Sequence, residues 1–435
     1  MTKRSAIGSW GRYPRVDAGT RVRLGDRTAA LPPLAAKALP YGNGRSYGDS
    51  CLNPGGVLLH TAGLDRFAAF DPATGVLDCE AGVLLADVID LVLPRGWFLP
   101  VTPGTRFVTV GGAIANDVHG KNHAAFGSFG DHVLDFELLR SDGTRRTCSP
   151  ASDAALFRAT VGGLGLTGVV VRARLQLRPV QGPAVEVETR RFGRLADFFA
   201  LSADTASSEY RVAWVDCLAR GAALGRGVYS HGAHVAAEVA PPRTGRLSMP
   251  FVPPFSLVNG ASLRAFNQLY YRRAPAAPAR YVQHYAPFFY PLDGIAHWNR
   301  MYGPRGFLQY QCVVPPATGE AAVAEILDRI AASGQGSFLG VLKAFGDRQA
   351  PGLLSFARPG TTLALDFPFR GKPTLDLLEA LDRVVVAAGG AVYPAKDARM
   401  SPATFAASFP GLARFHGHRD PAFSSGFWRR VTGQA

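Results

Sequence analysis

Cysteine is scarce in this 435-residue chain, which has only Cys51, Cys79, Cys148, Cys217 and Cys312. No two of them share a CxxC spacing and their number is odd. That argues against a zinc site or a disulfide framework and fits a reducing compartment. Long apolar runs are missing too, and no window approaches the roughly 18 apolar residues of a membrane span. The first fifteen residues lack the apolar run of a signal peptide, so a cytoplasmic protein is expected. Acidic residues are in deficit, with Asp+Glu 33 against Lys+Arg 47 and a net charge of +14. The excess is arginine scattered along the chain, with no basic block. A nucleic-acid-binding protein would cluster that charge on one face with stacking aromatics, and no nucleic-acid partner is expected. Affinity for phosphate or for an anionic membrane surface remains open.

Glycine, by contrast, is plentiful at 49 residues, and it concentrates in three places. The densest is Pro100 to Val133, with Gly104, Gly111, Gly112, Gly120, Gly127 and Gly130 around His119, Lys121, Asn122 and His123. Glycine at this density marks backbone pressed close to a ligand or another strand, and the interleaved polar residues favour a ligand. A second loop runs from Gly42 to Asp49 and a third from Gly162 to Gly168. Backbone N–H groups in such turns converge on anions. The first loop is followed by neither a GK[ST] nor a GxGxxG signature, so it is no P-loop or usual Rossmann turn. Three separated glycine-rich loops suit an extended dinucleotide. His119 and His123 are four apart, but Gly120 lies between them and no third ligand is near, so no metal is expected.

Strands are expected at 20–24, 57–60, 76–80, 133–139, 145–148 (after an Asp142-Gly143 turn) and 169–177. A helix is expected from Val83 to Leu93, with Leu84, Val88, Leu91 and Val92 at helical spacing and Pro94 as its stop. Beyond Pro179 the pattern predicts strands at 185–189, 211–217, 306–314, 337–345 and 361–369. Helices are predicted at 195–201, 321–332 and 375–388. Residues 240–290, rich in Pro, aromatics and Arg with little period, read as long loops.

The motifs resemble a known family. Ser9 to Arg12, Gly42 to Asp49, nearly all of Pro100 to Val133, Ala213-Trp214, Gly306 to Gln311, Val341 to Gly346, Leu365 to Pro368 and Tyr393 to Arg399 occur in its order. Together they resemble the FAD-linked oxidoreductases of the vanillyl-alcohol-oxidase type, which share the PCMH-type FAD-binding fold. Within these they are most similar to the oxidase subunits of decaprenylphosphoryl-β-D-ribose 2′-epimerases. The resemblance implies that Gly42, Asn43, Gly44, Arg45, Ser46, Tyr47, Gly48 and Asp49 hold the FAD pyrophosphate. It implies that Gly104, Thr105, Thr109, Val110, Gly111 and Gly112 line the ring and diphosphate. Asn116, Asp117, Val118 and His119 would lie beside the ring, Val170 would cover the adenine side, and Tyr393 would touch the flavin. Many relatives join the flavin covalently through a His in the first loop. Arg45 stands there and cannot form that bond, so non-covalent FAD is expected.

Alcohol oxidation needs a proton acceptor and positive charge at the site. The resemblance assigns Lys396 that role, with Tyr47 and His119 orienting the hydroxyl. Lys121, Gln309, Gln311 and Lys343 would hold sugar and phosphate, with Trp214 as an apolar wall. The fold expected is α+β, with an FAD-binding domain at 1–182, an antiparallel-sheet substrate domain at 183–390 and a segment 391–435 returning to the FAD domain. The expected reaction is FAD-dependent oxidation of the 2′-hydroxyl of a polyprenyl-phosphoribose to the 2′-keto sugar, the first half of epimerisation to arabinose in cell-wall arabinan synthesis. A sugar-alcohol or aldonolactone oxidase is the alternative. An NAD(P)H-dependent reductase partner is expected, and the 240–290 segment is expected to bring the protein to the inner membrane peripherally. Mycobacterial relatives carry a Cys that nitroaromatic inhibitors attack where this chain has Ala364. Peptide mass spectrometry after such treatment is expected to find no adduct at position 364.

Overall fold

The computed structural model describes residues 8–16, 20–242 and 247–434. The first seven residues, part of the stretch read above for a signal peptide, lie outside the described residues, as do 243–246. Helices and largely antiparallel sheets alternate through the chain, an α+β arrangement.

Two sheets dominate the first 180 residues. A parallel three-stranded sheet places Val57–His60 between Thr20–Arg23 and Ala38–Tyr41. An antiparallel five-stranded sheet runs Phe67–Asp71, Val76–Glu80, Val169–Gln176, Val133–Leu139, Arg145–Cys148. Helix Leu85–Val92 buries Leu85, Val88, Ile89 and Val92, one face at helical spacing, and turns Asp87 and Asp90 to solvent. Pro94 lies in the single 3-10 turn that follows. Three short helices lie where none was expected, and one of them, His123–Phe126, has only four residues. Val110–Ala115 contains Gly111-Gly112 and Ala154–Thr160 is only seven residues long, so none of the three carries a readable apolar stripe.

The larger layer is an antiparallel eight-stranded sheet. Its order is Ala279–His284, Ala184–Phe192, Gly227–His234, Tyr210–Val215, Gly340–Phe345, Gly360–Pro368, Phe307–Val314, Ala391–Val392. Period-2 alternation decides what each face carries. From strand Phe307–Val314, Leu308, Tyr310, Cys312 and Val314 enter one core, as do Leu363, Leu365 and Phe367 from the neighbouring strand. Helices Gly319–Ser333 and Lys372–Ala387 cover that core with Val323, Ile326, Leu327 and Ile330 and with Leu378, Leu381 and Val385. Each such side chain, fully buried, contributes roughly 1.5–3 kcal/mol. The opposite face presents Gln309, Gln311, Val341, Lys343 and Ala364 to a cavity. Strand Gly360–Pro368 lies between the strands that carry the two glutamines and Lys343, which are therefore not direct neighbours.

Within segment 240–290, residues 247–290 are more ordered than their sequence suggests. They contain helix Gly260–Arg273, edge strand Ala279–His284 and helix Tyr285–Phe289. Helix Gly260–Arg273 buries only Leu263 and Asn267. Its other large apolar residues, Phe266, Leu269 and Tyr270, stay exposed, so little of the helix is held by the core.

The tail returns to the N-terminal sheets. Ser424 N–H donates to the Ala38 carbonyl at 2.9 Å, and Gly426 N–H to that of Leu52 at 2.7 Å. From helix Gly426–Thr432, Arg430 donates to Asp49 through Nε at 2.9 Å and Nη2 at 2.7 Å. It also reaches Asp397 Oδ2 at 2.9 Å and the Met400 carbonyl at 2.6 Å. Asp49 and Asp397 are both buried. Arg430→Met therefore leaves two buried carboxylates short of a cation and is expected to cost about 3–5 kcal/mol. Urea unfolding of the FAD-loaded protein checks this, with Arg430→Lys expected to recover part of the loss.

Candidate active site

The glycine-rich loops meet around one cavity of about 560 Å³, inside the ~300–1,000 Å³ range of ligand sites. The first loop leaves strand Ala38–Tyr41 and doubles back. Gly44 takes φ +59, and a Cβ on Gly48 would stand 1.7 Å from the Asp397 carbonyl oxygen. Gly44 thus serves conformation, and Gly48 serves the close approach of the 393–399 turn. Among the described residues, no acceptor meets the backbone N–H groups of Asn43, Gly44, Arg45 and Ser46. Such a row of half-buried, unpaired amides suits a diphosphate. Arg45 adds a guanidinium stacked over Trp10, 4.6 Å from the ring centroid.

Along the second loop, Thr109 caps helix Val110–Ala115 by accepting from Gly112 N–H at 3.1 Å. Asn116 Nδ2 donates back to the Gly112 carbonyl at 2.8 Å. Gly104, Thr105, Thr109, Gly111, Gly112, Asn116, Val118 and His119 face the cavity. The third loop brings Leu164, Gly165 and Gly168, with Val170 just beyond. The set is an elongated cradle of backbone and small side chains, and it fits a dinucleotide.

At the other end the cavity becomes chargeable. The Lys396 ammonium sits 3.8 Å from the Tyr47 ring centroid. Burial brings its pKa down to about 7; Asp366 opposes the shift and Lys343 adds to it. Asp366, wholly buried, accepts from Gln309 Nε2 at 2.6 Å and from the Tyr302 hydroxyl at 3.2 Å. Burial lifts its carboxyl to about 6. Tyr47 is held well above its usual range by burial and by the Asp366 charge, so it stays a phenol. His119 Nε2 lies 2.8 Å from Gln311 Nε2, and the ring is enclosed by Phe345, Phe356 and Tyr393. Burial, then the Lys343 charge, hold it well below its usual range, so it is a neutral imidazole. Lys343 Nζ donates to the Gly120 carbonyl at 3.3 Å, and burial lowers its pKa to about 8. This end therefore combines an amine able to lose its proton near neutrality with a neutral imidazole, amide donors and a second lysine.

Several sequence-predicted residues stand behind the lining. Asp117 (φ +39) accepts from Gly130 N–H at 2.8 Å and Ser355 Oγ at 2.5 Å, so it braces two loops. Asp49 is engaged by Arg430, Gly48 by the 393–399 turn, and Val110 lies in the core under the helix. Lys121 donates to the Phe289 carbonyl at 3.2 Å beside the Phe288 and Phe289 rings, and burial takes its pKa to about 7. Trp214 Nε1 donates to the Phe338 carbonyl at 2.9 Å and its ring packs on Tyr270, away from the lining. Tyr393 follows strand Ala391–Val392 rather than lying in it, and its hydroxyl donates to the Asn116 carbonyl at 3.0 Å. Sequence reasoning missed Asp366, although the alternation of Leu363, Leu365 and Phe367 with Ala364 and Asp366 carries the signal. It also missed the wall from Leu292 to Trp298, which has no period to read.

Comparison with known proteins gives the family. Residues 34–149 match the family described as an FAD binding domain. The chain is 38% identical over 409 residues to decaprenylphosphoryl-β-D-ribose oxidase of Mycolicibacterium smegmatis, covering 90% of this chain and 88% of that one. It is 38% identical over 372 residues to an uncharacterized Streptomyces coelicolor protein, covering 80% of this chain and 100% of that one. Cytokinin dehydrogenase 7 of Oryza sativa subsp. japonica is 31% identical over 157 residues, 35% of this chain and 30% of that one. FAD is the cofactor of this protein. The chain belongs to the family of FAD-linked oxidoreductases that includes decaprenylphosphoryl-β-D-ribose oxidase.

Proposed function

We propose that the protein oxidises the 2′-hydroxyl of a polyprenyl-phosphoribose to the 2′-keto sugar, the first half of epimerisation to the arabinose form. The observation that carries this is Lys396, an amine with pKa about 7, placed where the dinucleotide cradle meets Gln309, Gln311 and Lys343. Bound FAD would supply the acceptor for the hydride that leaves the carbinol carbon. Lys396, as the free amine, takes the hydroxyl proton. Neutral His119, held against Gln311, and the Tyr47 phenol orient the hydroxyl without competing for the proton. Lys343, with Gln309 and Gln311 across the sheet, donates to sugar hydroxyls and phosphate, and Lys121 adds charge behind them. Non-covalent FAD is part of this reading, because a guanidinium at position 45 forms no flavin bond. So is the division into an FAD-binding domain at 1–182, a substrate domain at 183–390 and a returning segment 391–435. The keto sugar needs a separate NAD(P)H-dependent reductase to complete the epimerisation.

Anaerobic mixing with a polyprenyl-phosphoribose is expected to bleach the flavin absorbance, whereas xylitol or an aldonolactone leaves it unchanged; the reverse pattern would support the sugar-alcohol alternative. Lys396→Ala is expected to slow bleaching by roughly 10²–10⁴-fold while the protein stays yellow. Retained speed would remove Lys396 from its role.

The pH dependence has a defined sign. Only the neutral amine accepts a proton, so the bleaching rate is expected to rise through about pH 7 and level off above it. The Asp366 charge holds the Lys396 pKa up, so Asp366→Asn moves the rising limb to lower pH. A limb that stays in place would separate the two groups.

A further inference from the structure

We propose that the segment from Leu247 to Val282 is a docking surface for an anionic lipid bilayer. Between Glu238 and Asp293 the sequence has no acidic residue and six arginines: Arg243, Arg246, Arg264, Arg272, Arg273 and Arg280. The first two lie outside the described residues. Arg280 pairs with Glu188 at 3.0 Å. Arg264, Arg272 and Arg273, all on helix Gly260–Arg273, have no ion-pair partner among the described residues. The same segment exposes large apolar side chains: Leu247 is 73% exposed, Phe251 64%, Phe255 66% and Leu269 59%. A water-facing surface does not ordinarily gather these groups in one segment. Apolar insertion beside unpaired arginines is the chemistry that an interfacial anionic membrane surface rewards.

The segment is fastened to the wall of the cavity. Strand Leu247–Ser248 pairs in parallel with Ile295–Ala296, both of which line the cavity. Arg300 Nη1 donates to the Met249 and Pro250 carbonyls at 2.9 Å each, and Leu257 N–H donates to the Met301 carbonyl at 2.8 Å. A bilayer held on this segment thus lies beside the wall past which a lipid-linked sugar enters. The value of that position rests on the substrate reading above; the surface itself does not.

Co-sedimentation of the FAD-loaded protein tests the proposal. One set of vesicles is pure phosphatidylcholine, and the other carries phosphatidylglycerol at about one lipid in three. Binding is expected only to the second set and to weaken as salt is raised. The variant Arg264→Gln/Arg272→Gln/Arg273→Gln is expected to bind roughly a hundredfold more weakly. Phe251→Ser/Phe255→Ser is expected to lose the binding that persists at high salt. Both variants should keep the flavin colour and the turnover of a soluble short-chain prenyl-phosphoribose. No binding to anionic vesicles, equal binding to both compositions, or unchanged binding by the arginine variant overturns the proposal. So does a dimer, seen by light scattering, that Phe251→Ser/Phe255→Ser dissociates. Failure of the wild type to turn over the short-chain substrate would instead count against the proposed function and leave the vesicle result standing.

Discussion

One guanidinium holds the Lys396 end of the cavity together. Arg430, five residues before the last, bonds Asp49 at the close of the first glycine-rich loop and Asp397 next to Lys396. The segments it joins are 381 and 33 residues away in sequence. Arg399 adds a second cation 3.7 Å from Asp397. A buried ion pair of this kind offers little net stability over an apolar substitute, because both partners lose their hydration. Its use is positional. It presses the 393–399 turn against the 42–48 loop, where Tyr47 N–H reaches the Ala395 carbonyl at 2.9 Å and the absent side chain of Gly48 leaves room for Asp397. Lys396 over the Tyr47 ring is the consequence.

That contact brings an amine into a cavity with little to offset its charge. Lys121 and Lys343 lie nearby, with pKa values lowered to about 7 and 8. Burial is the main cause in each case, and Lys343 adds repulsion at Lys121 and Lys396. Asp366 pulls the other way at Lys396, but it is itself pushed up to about 6 and is tied to Gln309 and Tyr302. Three clustered lysines disfavour the folded state at neutral pH, and one that gives up its proton near pH 7 is useful to an alcohol oxidation. A cost of this type is tolerated where the site needs it.

Much of the architecture was legible because strands with one wet face, or two buried ones, are short and bounded by turns. Val57–His60, Val76–Glu80, Val133–Leu139 and Arg145–Cys148 form where their patterns place them. The cradle was legible through glycine, and Gly42, Gly44, Gly104, Gly111 and Gly112 do face the cavity. Helix Gly260–Arg273 was not, because a helix that buries two residues writes no stripe. Nor were the supporting roles of Asp49 and Asp117, because a carboxylate that braces a loop and one that meets a ligand look alike in sequence. Lys396 and Tyr47 were paired through family motifs; composition alone does not join residues so far apart.

The family assignment and the geometry bear on the same cavity from independent directions. Extended similarity identifies an FAD-linked oxidoreductase, and Lys396, His119, Gln311 and Lys343 line one cavity against the large sheet, which supports the proposed reacting end there. The central claim is that the C2′–H bond of a lipid-linked ribose breaks there while the hydroxyl gives its proton to Lys396. Its most direct test is the anaerobic rate of flavin reduction by substrate carrying deuterium at C2′. A primary isotope effect, with slower reduction by the deuterated sugar, is the expected result. Equal rates in single-turnover measurements, or reduction that depends on deuterium at another ribose carbon, would contradict the account.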